Sequence, residues 1–165
     1  MVLEVIGIML AVIILFIIIN GIEDYCKQSK MVNMSFKEAM DLVELPVVTF
    51  YNGSTKLNFL LDTGSNISQI NSSILPILNY KKVVGKNMDV AGIEGNKVNT
   101  EFCEMVLTYK GQEFVDEFCT HDLDEAFAIV KEESGVQIHG ILGSLFFKKY
   151  EYILDFENLI AYSKK

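Results

Sequence analysis

One acidic side chain in this sequence sits where acid–base chemistry would want it. Leu60-Leu61-Asp62-Thr63-Gly64-Ser65 carries an apolar run into a single carboxylate, followed at once by small and hydroxylic residues. Asp-Thr-Gly by itself is a weak signal, and it equally describes an Asp that caps a turn. The apolar residues ahead of it add weight. A strand running through a core would deliver the carboxylate to a partly desolvated place, where its proton affinity can be tuned. One carboxylate cannot serve as base and acid at the same moment. Two of them held about 3 Å apart cannot both ionise, so they share a proton, and one then acts on a water while the other acts on a carbonyl oxygen. The chain holds a single Asp-Thr/Ser-Gly. The second carboxylate therefore has to come from a second copy, placed by a two-fold axis that brings the same residue of each chain together.

The elements that would position Asp62 are strands. Pro46 to Tyr51 and Lys56 to Leu61 are β-rich runs separated by Asn52-Gly53-Ser54, a tight-turn sequence, so a hairpin ends at Asp62. Asn66 to Ile70 resumes a strand, and Asn71-Ser72-Ser73 opens a short helix whose regularity Pro76 limits. Met88 to Val98 reads as two strand-like pieces around Gly92-Ile93-Glu94-Gly95, a glycine-flanked tip with little apolar anchoring and so a candidate mobile flap. Thr100 to Tyr109 and Gln112 to Thr120 form a second hairpin around Lys110-Gly111. Asp124 to Lys131 is expected to make a helical turn or two, Glu132 to Gly135 a loop, and Val136 to Leu142 a strand broken by Gly143. Ser144 to Tyr150 suits a short helix, and Tyr152 to Tyr162 a terminal hairpin turning at Glu157-Asn158. Ahead of all these, Ser35-Phe36-Lys37-Glu38 matches a capping box, predicting a helix through about Leu42 that either packs on the domain or spaces it.

The N-terminus has a different character. Val5 to Ile19 carries no charged side chain and one Gly, and with Met1 to Leu3 it approaches the roughly 20 residues that span a bilayer. A secretory leader is the rival reading, but no Lys or Arg precedes the run, Glu4 stands in their place, and no small-x-small cleavage site lies beyond it. A core helix would show a polar face, and this run has none. The expectation is an uncleaved single-pass anchor. Lys27, Lys30 and Lys37 lie downstream with no basic residue upstream, which favours the cytoplasmic side for the C-terminal domain. The chain thus divides into an anchor over 1–20, a juxtamembrane linker with a short helix over 21–42, and a domain over 43–165.

Composition removes other classes. A net charge of −8, with no concentrated basic surface, argues against nucleic acid as a partner. Cys26, Cys103 and Cys119 lack metal-ligand spacing, and Cys103 and Cys119 fall within strand-like runs as small core residues, with a disulfide between them left open. His121 and His139 have no ligand partners at metal spacing, and Asp122, Asp124, Glu125, Glu132 and Glu133 read as a solvated acidic stretch. No metal or cofactor is expected. Asp155 lacks a following Thr-Gly and is not a second reactive carboxylate.

Leu60 to Ser65, the tip Gly92 to Gly95, and Gly140-Ile141-Leu142-Gly143-Ser144-Leu145-Phe146 followed by Ile153-Leu154-Asp155-Phe156 resemble, in order and spacing, the retropepsin-like aspartic proteases over about Leu45 to Tyr162. The resemblance implies a mainly β single lobe of closed, folded sheets with one or two short helices. It implies that Asp62 is the catalytic carboxylate of a homodimer that hydrolyses polypeptides. Thr63 would brace the two active-site loops across the axis, Gly64 would leave room for substrate and water, and Ser65 completes the loop. Gly92, Ile93, Glu94 and Gly95 would form the flap over the peptide, with the glycines as hinges. Ile141, Leu142 and Gly143 would support the loop from behind. The anchor and the charge of Glu94 at the flap tip depart from the viral pattern. Viral enzymes pair their chain termini in the dimer, and here the terminal hairpin Tyr152 to Tyr162 is the candidate seam. The competing class is a non-catalytic peptide-binding or dimerisation module on the same fold.

Overall fold

In the computed structural model the described residues are 34–91 and 97–164, together with Ile14 and Phe16. The chain divides into two compact units, Met1–Val32 and Asn33–Lys165. Of the first, only Ile14 and Phe16 are described, both helical and exposed. The expected anchor over Val5 to Ile19 otherwise lies outside the described residues. Among those residues, no helix is long and apolar enough to cross a membrane.

The second unit opens with α1 (Phe36–Val43). Its start is the capping box: the Glu38 amide donates to Ser35 Oγ at 3.3 Å and the Ser35 amide donates back to the Glu38 carboxylate at 2.8 Å. The helix is part of the domain and not a spacer. It buries Phe36 and Ala39, and the Phe36 ring meets Phe156 edge-on at 5.1 Å. Just before it, Met34 is stitched to Thr49, donating to Thr49 Oγ1 at 2.7 Å and accepting the Thr49 amide at 2.9 Å.

The strands are β1 (Val47–Asn52), β2 (Thr55–Leu61), β3 (Ser68–Asn71), β4 (Tyr80–Ala91), β5 (Lys97–Tyr109), β6 (Gln112–His121), β7 (Gly140–Leu142), β8 (Tyr152–Asp155) and β9 (Ile160–Ser163). A 3-10 helix spans Ser72–Ile77, with α2 at Ala128–Ser134 and α3 at Ser144–Tyr150. The first seven strands form one sheet in the order β1-β2-β7-β3-β6-β5-β4, and Tyr51 of β1 also pairs with Thr108 of β5, drawing the sheet toward closure. β8 and β9 form a separate antiparallel ribbon.

Turn chemistry explains the hairpins. Gly53 takes φ +60° at the first position of the Gly53-Ser54 loop, the place where a hairpin turn requires a residue free of Cβ. Lys110 and Gly111 both take positive φ, 49° and 81°, which matches the twist of β5 and β6. The core inside the sheet is largely aromatic. Phe50, Phe59, Phe114, Phe118 and Phe146 are fully buried, and Phe114 meets Phe50 and Phe146 at centroid distances of 5.7 and 5.5 Å.

Three local expectations shift. β4 starts at Tyr80, well before Met88, because the Tyr80 to Val83 run pairs with β5 and a register shift between Val83 and Met88 absorbs Gly85, at φ +83°. Helix forms at Ala128–Ser134, later than Asp124 to Lys131, and Gly135 ends it in the left-handed region with its amide on the Lys131 carbonyl. Only Gly140–Leu142 is strand. Val136 and Ile138 are buried as a strand's inner face would be, but the stretch joins the sheet through His139, whose amide and carbonyl bond Asn58 and Asn71, and is not itself strand.

Candidate active site

β2 is a buried strand whose last residue, Leu61, is 3% exposed, and the chain leaves the sheet at Asp62. The Asp62 amide still donates to the Leu142 carbonyl at 3.0 Å, so the turn begins from a fixed point. The carboxylate, half-buried, folds back on its own turn: Oδ1 accepts the Gly64 amide at 2.8 Å. A Cβ at Gly64 would lie 3.1 Å from that same oxygen, tighter than ordinary packing. The Ser65 amide closes the turn on the Asp62 carbonyl at 3.3 Å. Thr63 and Gly64 are exposed on the outside of this turn.

Support comes from the far end of the domain. β7 lies between β2, to which it is parallel, and β3, to which it is antiparallel; Leu60 faces Ile141, Leu61 faces Leu142, and Gln69 faces Ile141. Leu142 is fully buried behind Asp62. Past the end of β7, the Ser144 and Leu145 amides at the start of α3 donate to the carbonyls of Ser65 and Asn66 at 2.8 and 3.2 Å. At Gly143 the two segments touch. A Cβ there would stand 2.6 Å from the Ile67 carbonyl, so only glycine fits. The sequence-predicted residues Asp62, Gly64, Ser65, Ile141, Leu142 and Gly143 thus meet in one place.

Two polar chains behind the loop escape a reading of the sequence. Ser65 Oγ donates to the Ile67 carbonyl at 2.8 Å and accepts Gln69 Nε2 at 3.3 Å, while Gln69 Oε1 lies 2.6 Å from His121 Nε2. Ser68 Oγ accepts the Gly143 amide at 3.4 Å and donates to Asp116 Oδ2 at 3.0 Å, and Lys149 holds the other Asp116 oxygen at 3.3 Å. Burial pushes the Asp116 carboxyl above its ordinary range, against the opposing pull of Ser68 and Lys149. Nothing in the local sequence marks Asp116, because its partners stand on other elements. Gly85 does carry a signal, since a glycine inside a strand pattern marks a bulge.

The flap tip, Gly92, Ile93, Glu94 and Gly95, lies outside the described residues. Its supports are described: β4 and β5 pair up to Ala91 and Lys97. Asp155 is a turn cap, its carboxylate accepting the Glu157 and Asn158 amides at 3.0 and 2.9 Å and the Asn158 side chain at 2.8 Å. Cys103 faces Phe118 across the β5–β6 ladder while Cys119 faces Phe102, so the two thiols point to opposite faces and do not bridge to each other. Burial pushes the Cys103 thiol up to about 12, which keeps it protonated. Among the described residues, no group of three His, Cys, Asp or Glu could hold a metal ion.

No protein-family model and no curated protein matches the sequence. Solved structures do. The retroviral protease-like domain of Ddi1 from Leishmania major matches with a TM-score of 0.50 at 12% identity, covering 73% of this chain and 89% of that one. The EIAV protease complexed with the inhibitor HBY-793 matches with a TM-score of 0.45 at 21% identity, covering 64% and 86%. At such identities the likeness concerns the fold, which is mainly β and retroviral protease-like.

Proposed function

We propose that this chain is an aspartic endopeptidase, active as a homodimer and tethered by Val5 to Ile19 with its domain on the cytoplasmic side. The observation that carries the reading is the seating of Asp62. A lone carboxylate leaves a buried strand into a turn of small residues, and Leu142, Gly143, Ser144 and Leu145 hold that turn from behind. The sequence offers no second Asp-Thr/Ser-Gly to partner it, and Thr63 beside it is exposed, where a second copy can reach it.

In the dimer, the two Asp62 carboxylates share one proton. The ionised one takes a proton from a water, the water oxygen attacks the peptide carbonyl, and the protonated one gives its proton to the carbonyl oxygen. The tetrahedral intermediate then collapses: the carboxyl that took the water's proton passes it to the amine nitrogen, the C–N bond breaks, and a hydroxyl of the intermediate returns its proton to the other carboxylate, so no covalent enzyme intermediate forms. Gly64 leaves the space in which water and substrate sit. The flap, Gly92 to Gly95, closes over an extended peptide, and Glu94 at its tip adds a charge to that contact.

The terminal ribbon β8–β9 is the proposed seam. It stands apart from the main sheet and exposes Phe156, Ile160 and Tyr162 at 55%, 46% and 40%, a large apolar display for so short a ribbon. Tethering both copies to one membrane would raise their effective concentration and favour pairing. The test is inhibition: cleavage of an extended peptide should be blocked by a statine-type transition-state mimic and be indifferent to a chelator. Tight peptide binding with no hydrolysis from acidic to neutral pH would instead identify a non-catalytic binding module.

A further inference from the structure

His139 is 5% exposed and stands where β2, β3 and β7 converge. Its amide donates to the Asn58 carbonyl at 2.8 Å, and its carbonyl accepts the Asn71 amide at 2.8 Å. Its ring closes the arrangement, with Nδ1 accepting the Asn58 amide at 3.0 Å. Asn58 lies on β2, the strand that ends at Asp62, and Gly140, next to His139, starts the strand that backs Asp62.

Only a neutral ring can make that bond. An N–H donor requires a lone pair on Nδ1, so the ring proton sits on Nε2. A proton added at Nδ1 would set two N–H groups against each other in the interior. Asn58 has no substitute acceptor to offer its amide, since its side chain is committed elsewhere: Oδ1 accepts from Thr49 Oγ1 at 2.7 Å and Nδ2 donates to the Gln137 carbonyl at 2.9 Å. An orphaned buried amide keeps its full desolvation penalty, which works directly against this contact.

We propose that His139 is a positioning residue: its neutral ring locks the strand that delivers Asp62 to the segment that backs it, and protonation of the ring releases that lock. The effect on Asp62 rests on the protease reading above; the effect on the fold does not.

The surroundings favour the neutral ring. Lys131 on α2 is the cation near it, and Asp124 lines the same cleft with its carboxylate engaged by Asn71 Nδ2 at 2.7 Å and Ser73 Oγ at 3.4 Å. The segments of β2 and β3 bonded to His139 present Asn58 and Asn71, which carry no charge. Burial first, and Lys131 second, hold the imidazole down to about 4. Once the lock opens, the ring titrates near its ordinary value of about 6.5. Acid therefore favours the open form between these values, by up to roughly 10-fold per pH unit.

The experiment is urea unfolding of the full chain in detergent, from pH 7 to pH 4.5, for wild type and His139→Asn. The Asn amide oxygen can take the place of Nδ1 and accept from Asn58, but it does not titrate. The wild-type unfolding constant should rise about 40-fold more than that of His139→Asn between pH 6.5 and pH 4.5. Parallel curves would overturn the proposal. Should His139→Asn fail to fold, NMR of the wild-type imidazole decides the matter: in the folded chain the ring should stay neutral, with its proton on Nε2, well below about pH 6.5, and a ring that charges in the folded chain near its ordinary value overturns the proposal. In peptide cleavage, His139→Asn should keep its kcat further into acid than wild type, with KM unchanged. A chain that follows the unfolding prediction yet cuts no peptide would retire the protease reading alone.

Discussion

The Asp62 amide donates to the Leu142 carbonyl at 3.0 Å, so the turn that carries the carboxylate is pinned to a strand from near the other end of the chain. The contact has a second half in Gly143, whose missing side chain leaves room for the Ile67 backbone. Together they make the geometry of Asp62 a property of long-range packing and not of the Asp-Thr-Gly turn alone.

Two glycines should therefore respond differently to the same substitution. Gly143→Ala forces a Cβ to within 2.6 Å of the Ile67 carbonyl, where only backbone movement relieves the clash. We expect a loss of about 1–3 kcal/mol in stability and a larger loss of activity, because the Asp62 turn moves with it. Gly85→Ala meets nothing within 4 Å and suffers only from its φ of +83°, a cost of about 1–2 kcal/mol. Denaturant unfolding of both variants checks the stabilities, and peptide cleavage should separate them further.

Acid should act on buried His139 and partly buried Asp116 in opposite senses. His139 is held at about 4, below the unfolded value of about 6.5, so its contribution is complete above pH 6.5 and is lost as pH falls toward 4. Integrated over that window the loss is about 3 kcal/mol. Asp116 is raised by burial, so its folded form holds a proton more readily than the unfolded chain, and it disfavours folding as pH rises past its titration. Asp116→Asn, which keeps an acceptor for Ser68, should remove that second effect and steepen the net loss of stability on acidification. Urea midpoints of the variant and wild type from below the ordinary Asp range up to neutral pH would show it.

The capping box gives a prediction remote from the site. Ser35→Ala removes the acceptor of the Glu38 amide and one arm of the reciprocal pair. It should cost about 1 kcal/mol. Since α1 packs on the domain through Phe36 and Ala39, the loss should appear in the global unfolding transition and not as separate fraying of a tether. A two-step transition would count against that packing.

Much of this arrangement is legible in the residues because the determinants are local. Ser35 with Glu38, Gly53, Lys110-Gly111 and the hairpin runs each carry their own turn or cap chemistry, and the structure follows them. The pairing of Leu60-Leu61 with Ile141-Leu142 is visible only through a resemblance, since parallel neighbours so far apart leave no periodicity to detect. Asp116, Gln69 and the ring of His139 are invisible for the same reason: each is an ordinary polar residue until a segment from elsewhere supplies its partner. Alternating burial at Val136 and Ile138 reads as a strand although no ladder forms there, because burial and hydrogen bonding are separate constraints.

If each active site takes one Asp62 from each of two chains, an inactive chain should poison an active one by pairing with it. Wild-type chain at fixed amount would be co-expressed with increasing Asp62→Asn, a change that retains the acceptor for the Gly64 amide and should leave folding intact. Random pairing predicts that a ninefold excess of the variant reduces cleavage to about one-tenth, since most wild-type chains then sit in dimers with a single carboxylate. Cleavage that is unmoved by the excess, or that persists with Asp62→Asn alone, would rule out a site shared between two copies of Asp62.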